Sequence, residues 1–209
     1  MNTKGIADKS GRVKTRAINV GGVVVGGGAP ISVQSMTNTN TADSEATIAQ
    51  INRLTEAGCE IVRVAVPDAE SAKALVTIKK AITIPLIADI HFDWRLAIEA
   101  LKNGVDALRL NPGNIGSKER IGHVVRATAE RGIPIRIGVN GGSLEKEILE
   151  EFGHPSPEAM VQSALKHIRI LEDLNFTDIK VSLKASSVPV TIAAYRLLSS
   201  KVDYPLHIG

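Results

Sequence analysis

Cysteine and aromatic residues are nearly missing from this chain. Its one cysteine, Cys59, has no partner for an internal disulfide. A single thiolate also falls short of the three or four ligands by which a zinc ion or an iron–sulfur cluster is held. Any metal here must be ligated elsewhere. One tryptophan, two tyrosines and three phenylalanines in 209 residues make no stacking platform for bases and no aromatic belt, which argues against nucleic-acid and interfacial binding. No apolar run approaches the roughly 20 residues of a membrane-spanning helix. An excess of one charge is lacking too: 25 Lys and Arg are interspersed with 22 Asp and Glu, and a net charge of +3 singles out no partner. The basic start has neither an apolar core segment nor a small-residue cleavage site, so secretion is not indicated and the expectation is a cytoplasmic protein.

What remains is 44% apolar and 22% charged, the balance of a folded globular chain. Short β-branched runs alternate with amphipathic segments of helical period, the signature of repeated β/α units. The strands are expected at Ile31 to Met36, Ile61 to Pro67, Leu86 to Phe92, Ala107 to Leu110, Ile135 to Val139, Ile179 to Leu183 and Leu206 to Ile208. Helices are expected at Ser44 to Ala57, Ala69 to Ala81, Trp94 to Lys102, Lys118 to Arg131, Pro157 to Leu174 and Val188 to Lys201. Ser156-Pro157-Glu158 is a helix start, and Gly58, Gly104 and Gly132 fall where helices stop. Asn19 to Gly28 reads as a glycine-turned hairpin, and its glycines do not fit a dinucleotide-binding loop.

A weak repeat relates Gly58–Arg63 to Gly104–Arg109, each entering an even-numbered strand, whereas Pro85, Pro134 and Pro205 precede the odd ones. An odd/even rhythm suits a closed (β/α)8 barrel, whose alternate strands fill alternate interior layers, better than an open doubly wound sheet. The expected fold is therefore α/β: a TIM-type barrel with about seven strands present, preceded by a β-hairpin. Residues 1–30 form the extension and hairpin and residues 31–209 the barrel, with the last strand expected from a longer parent.

Active sites of such barrels sit at the C-terminal strand ends. Polar residues occur there in numbers: Arg63, then Asp89 and His91, Arg109 and Asn111, Arg136 and Asn140, and finally Lys180, Ser182 and Lys184. Even spacing along a strand turns the members of each set to the same face. If that face is inward, several cations share one cavity. The bland reading pairs the arginines with Asp89, Glu60 or Asp106 as buried ion pairs. The alternative is an excess of fixed positive charge that takes a polyanion such as a diphosphate, which guanidinium forks match. The Asn111–Gly116 loop offers backbone N–H groups to a phosphate. His91 suits an acid, base or donor role, with Asp89 to orient it. Lys184 is read either as a phosphate ligand or as a Schiff-base lysine. His207, Asp93 and Glu145 are weaker candidates. His123, His154 and His167 are expected on the surface, and Cys59 at the rim opposite the site.

At these residues the chain resembles a known family. Gly26–Thr39 (GGGAPISVQSMTNT), Ile87–Asp93 (IADIHFD), Leu108–Gly116 (LRLNPGNIG), Pro134–Asn140 with Gly142–Glu145, and Lys180–Ser186 (KVSLKAS) are similar to the 4-hydroxy-3-methylbut-2-enyl diphosphate synthases of the methylerythritol phosphate route to isoprenoids. The resemblance covers nearly the whole chain. It implies an oxidoreductase that opens 2-C-methyl-D-erythritol 2,4-cyclodiphosphate to a linear allylic diphosphate with two electrons from flavodoxin or ferredoxin. It also implies a homodimer and a separate 4Fe-4S domain whose cluster ligands lie beyond residue 209, so that this chain alone would lack reductase activity. Carried over by motif, Arg63, Arg109, Arg136 and Lys184 would bind phosphate, with Asn111 and Asn140 beside them. Asp89 and His91 would stand near the hydroxyl-bearing end of the substrate. A dihydropteroate-synthase-like anion-binding barrel and an inactive remnant are the competing readings.

Overall fold

The computed structural model describes residues 11–209; the first ten residues of the expected N-terminal extension lie outside the described residues. Two short strands come first, β1 (Ala17–Val20) and β2 (Val23–Gly26), paired antiparallel as a hairpin. The β/α units follow: β3 (Gln34–Met36), α1 (Ser44–Glu56), β4 (Ile61–Ala65), α2 (Ala69–Ala81), β5 (Leu86–Asp89), α3 (Trp94–Lys102) and β6 (Ala107–Leu110). The short α4 (Pro112–Ile115) and α5 (Lys118–Ala129) lead to β7 (Ile135–Asn140). A 3₁₀ turn (Gly141–Ser143), α6 (Lys146–Phe152), α7 (Pro157–Glu172), β8 (Ile179–Lys184) and α8 (Val188–Ser199) complete the set.

Strands β3 to β8 form one parallel sheet in strict chain order. A doubly wound sheet reverses its order at a switch point, so sequential order marks the barrel type. Local chemistry accounts for the helix starts. The side chains of Asp43, Asp68, Asp93, Ser117 and Ser156 each accept a backbone N–H from the first turn of the helix they precede. Gly58 and Gly104, just past α1 and α3, have φ of +93° and +84°, which a β-carbon would oppose. α4, α6 and the 3₁₀ turn were not expected from periodicity, being too short to show one.

The sheet has two unlike faces. Val62, Val64, Ala88, Leu108, Ile137 and Val181 pack under the helices in the main core. Ile61, Ile87 and Ala107, one residue out of phase, turn to the inside and meet Ile18 and Val20 of the hairpin in a second, smaller core. These inward residues sit at the N-terminal strand ends. The hairpin thus seals the lower end of the curled sheet with apolar side chains and leaves the C-terminal ends open.

The seventh expected strand, Leu206 to Ile208, is corrected to a single parallel bridge between Val181 and Leu206. Two hydrogen bonds carry it, from Val181 N to the Pro205 carbonyl (3.0 Å) and from His207 N to the Val181 carbonyl (2.8 Å). The next rung is intercepted: Leu183 N donates to the Tyr195 hydroxyl at 2.9 Å, and that hydroxyl donates to the His207 carbonyl. A phenol from α8 stands where a backbone-to-backbone bond would continue the ladder. No helix among the described residues is long and apolar enough to cross a membrane.

Candidate functional site

The registers of the parallel ladder put residues of five strands in one row, four of them charged. Ala65 is level with Asp89, Asp89 with Arg109, Arg109 with Arg136, and Arg136 with Lys180. All five share the inward face, since each lies an even number of residues from the inward apolar layer or directly beside one that does. Three neighbouring cations side by side repel one another, and like charges opposite each other destabilise a sheet unless something compensates them.

Asp89 provides part of that compensation. Only 3% exposed, it receives Arg109 Nη1 on Oδ1 at 3.0 Å, with Arg63 Nε 3.5 Å from Oδ2. His91 Nε2 lies 3.6 Å from the same carboxylate, and its side chain is 44% exposed at the mouth. The other acids considered as partners are occupied elsewhere. Glu60 accepts the Val33 N–H, and Asp106 binds Lys79 and the Leu86 N–H. The ion-pair reading therefore holds for Arg63 and Arg109, which share one acid.

It fails for Arg136 and Lys180. Each is 3% exposed, and neither has an ion pair or a side-chain hydrogen bond among the described residues. The buried Nε atoms of Arg63, Arg109 and Arg136 all lack a hydrogen-bond acceptor. Burial, with the Arg63 charge added, lowers the Lys180 ammonium to about 8. Burial also brings the His207 imidazole down to about 4, with Lys180 and Arg63 adding their repulsion. Arg63 is likewise lowered, by burial first, against the pull of Asp89 and with a push from Arg109. The interior thus carries positive charge that the described side chains do not neutralise.

Gly138 on β7 makes the Arg109 placement possible. Arg109 Nη2 donates to the Gly138 carbonyl at 3.3 Å, and a β-carbon on residue 138 would run into the guanidinium. The Met36 sulfur receives Arg63 Nη2 at 3.0 Å. Neither residue was singled out from the sequence. A glycine flanked by Ile137 and Val139 in mid-strand is the signal that pointed to a close approach.

The remaining expected residues are distributed less tightly. The Asn111 side chain is buried and caps α4, accepting the Gly113 N–H at 3.1 Å. The Ser182 hydroxyl donates to the Ile137 carbonyl at 3.3 Å. Asn140 and Lys184 are level with each other and exposed at the upper edge. Beside them a cavity of about 230 Å³ opens between Gly141–Gly142 and Ala185–Ser187. A larger one, about 740 Å³, lies on the outer face among α6, α7 and α8, and no strand-end residue lines it. Asp93 caps α3 and pairs with Arg95.

Two expectations for histidine and cysteine residues divide. His167 is not a surface residue: it is fully buried on α7, because Met160, Ala164, His167 and Leu171 recur at helical spacing on the core side. His123 and His154 are exposed, as expected. Cys59 is buried before β4, at the end away from the mouth, donating to the Ile61 carbonyl at 3.1 Å. No three His, Cys, Asp or Glu side chains gather into a metal site among the described residues.

Fold and interior together define a TIM-barrel-type protein with a cation-rich open end. Comparison narrows this: residues 15–209 match the GcpE TIM-barrel domain, and the chain belongs to that family. It is 63% identical over 198 residues to the 4-hydroxy-3-methylbut-2-en-1-yl diphosphate synthase (flavodoxin) of Geobacter sulfurreducens, covering 95% of this chain and 56% of that protein. The synthase of the same name from Thermodesulfovibrio yellowstonii is also 63% identical, with 95% and 57% covered. The chain spans just over half the length of these relatives. Among solved structures, the Xanthomonas albilineans dihydropteroate synthase in complex with 7,8-dihydropteroate is similar, with a TM-score of 0.63 at 15% identity over 92% of this chain and 76% of that one. The 3-dehydroquinate dehydratase of Geobacillus kaustophilus gives 0.64 at 17%, over 92% and 78%. At such identities the likeness is one of fold. The dihydropteroate-synthase reading is therefore not favoured.

Proposed function

We propose that this chain is the substrate-holding barrel of a 4-hydroxy-3-methylbut-2-en-1-yl diphosphate synthase, and that its interior binds 2-C-methyl-D-erythritol 2,4-cyclodiphosphate. The observation that carries the reading is the partnerless pair Arg136 and Lys180, level with each other and buried beside Arg109, where burial without a counter-ion is costly unless an anion joins them. Arg63, Arg109, Arg136 and Lys180 surround the diphosphate from below, and Lys184 closes on it from the rim. Asn111 and Asn140 flank it as hydrogen-bonding groups, with Ser182 on the wall. Asp89 holds Arg63 and Arg109 in place and orients His91, whose half-exposed ring reaches the hydroxyl-bearing end of the substrate as a donor or acid. Fixed cations also favour the charge that collects on the diphosphate as its carbon–oxygen bond breaks.

The ring opening consumes two electrons. A 4Fe-4S cluster would supply them in such an enzyme, but the residues of this chain do not fit one: Cys59 is its sole cysteine and is buried at the wrong end of the sheet. No reductive step is therefore assigned to these side chains, and the part we assign them is to bind and orient. Flavodoxin, named for the relatives, or ferredoxin is the proposed electron donor, and a cytoplasmic homodimer the proposed form of the whole enzyme. Calorimetry of this chain with the cyclic diphosphate tests the reading. Binding that weakens with salt and is lost in Arg136→Met supports it; no binding at millimolar ligand refutes it.

A further inference from the structure

Behind the rim lies a buried polar cluster that substrate binding as described leaves unused. His167 is fully enclosed on α7, with Nε2 3.0 Å from Glu145 Oε1. Glu145 follows the 3₁₀ turn that begins directly after Asn140, and its other oxygen accepts the Ser163 hydroxyl at 2.7 Å. Lys166 Nζ stands 3.7 Å from Oε1. The Cε1–Nε2 edge of the imidazole also lies against Gly113: a β-carbon there would come within 2.6 Å of His167 Cε1, 3.4 Å of Nε2 and 3.5 Å of Asn111 Oδ1. Gly113 is the residue whose N–H the Asn111 side chain accepts. One ring therefore bridges the loop after β6, which begins with Asn111, and the loop after β7, which follows directly on Asn140.

The charge states follow from the surroundings. Burial pushes His167 down, outweighing the pull of Glu145, and Lys166 adds to the lowering. Burial works against the Glu145 charge, but the Ser163 hydroxyl, its own backbone N–H, His167 and Lys166 together hold its carboxyl below the ordinary range. The ring is turned off the line of a hydrogen bond, and neither Nε2 nor Oε1 makes one, so the 3.0 Å approach is a close polar contact in which a proton on Nε2 is the one that would face the carboxylate. Ser163 is 1% exposed, so the trio has no access for a substrate and is not a hydrolytic site.

We infer that His167 and Glu145 are positioning residues for the anion pocket: together they clamp the Asn111–Gly113 turn to the loop that follows Asn140, and so set the placement of both asparagines. This rests on the mouth being the diphosphate site. A histidine serving the core alone would contribute to stability and leave ligand affinity untouched. A positioning histidine acts through Asn111, and its loss moves affinity in a way that depends on Asn111.

The test is a double-mutant cycle on this chain, titrated with 2-C-methyl-D-erythritol 2,4-cyclodiphosphate and checked for folding by thermal unfolding. His167→Leu is expected to weaken binding roughly tenfold, the scale by which a misplaced contact lowers performance at a site. His167→Gln, which returns an N–H donor near the Nε2 position, is expected to recover most of that loss and serves if the leucine variant does not fold. In an Asn111→Ala background the histidine substitution is expected to cost little more, a non-additivity that marks coupling. Undiminished affinity in folded His167→Leu, or losses that simply add to those of Asn111→Ala, would overturn the inference while leaving the pocket standing. Absence of binding by the unsubstituted chain would instead overturn the pocket, and this inference with it.

Discussion

Arg109 lies across the face of Gly138, one strand away, donating to its carbonyl at 3.3 Å while its Nη1 reaches Asp89 at 3.0 Å. The arginine is held straight between two neighbours because residue 138 has no side chain. Gly138→Ala pushes the guanidinium aside. The expected result is a loss of about 1 to 3 kcal/mol in stability, the range for overpacking a filled interior, together with weakened binding of the cyclic diphosphate. Urea unfolding and calorimetry on the same variant check both halves. Full affinity would show that Arg109 does not depend on this packing.

Asp89 is the carboxylate that the partly buried Arg63 and Arg109 share. Asp89→Asn keeps its shape and removes its charge, leaving two arginines without a counter-ion, at a cost of about 3 to 5 kcal/mol. Because the interior then holds still more uncompensated positive charge, sulfate or diphosphate is expected to raise the melting temperature of the variant by more than it raises that of the unsubstituted chain. Melting curves over an anion series decide it.

Arg136 has the opposite balance. Being buried without a partner among the described residues, it costs the free chain stability. Arg136→Met is expected to stabilise the free chain by about 1 kcal/mol or more while weakening anion binding by about 2 to 4 kcal/mol. A variant that is both less stable and unable to bind would mean that the guanidinium is needed for folding.

Lys180 and His207 set a pH dependence whose sign can be worked out. Both are bases with pKa values below their ordinary ones, about 8 against 10.5 and about 4 against 6.5. Between the folded and unfolded values the unfolded chain binds more protons, so stability rises with pH in each window. Unfolding free energy is expected to climb from about pH 4 to 6.5 and again from about pH 8 to 10.5, at no more than about 1.4 kcal/mol per pH unit for one group. Lys180→Met removes the upper rise. Anion affinity runs the other way, falling above about pH 8 as Lys180 gives up its charge, and a series of titrations from pH 7 to 9.5 reads that slope.

The β/α order and most element boundaries were legible because they are local. Strand period, aspartate and serine caps and glycine stops are written within a few residues of where they act, as at Asp68 before α2 and Gly104 after α3. The candidate list was legible for the same reason: charges at even spacing in apolar strands stand out. What was misread needed distant partners. His167 fits the apolar stripe of its helix, yet as a polar residue it reads as surface until Glu145 and Gly113 are placed against its ring. The seventh strand was expected from Leu206 to Ile208, but Tyr195 breaks its ladder from a helix.

By itself, the sequence determined which side chains share one face of their strands and that several of them are cationic, because a strand turns each second residue the same way whatever surrounds it. The tertiary structure alone decided which cations meet the one acid and which are left without. Asp89 falls level with Arg109 and within reach of Arg63, but Arg136 and Lys180 lie further along the row. That assignment depends on strand register and sheet curvature, which are set by packing between segments remote in the chain, and the charge left uncompensated is the reason for expecting a diphosphate there.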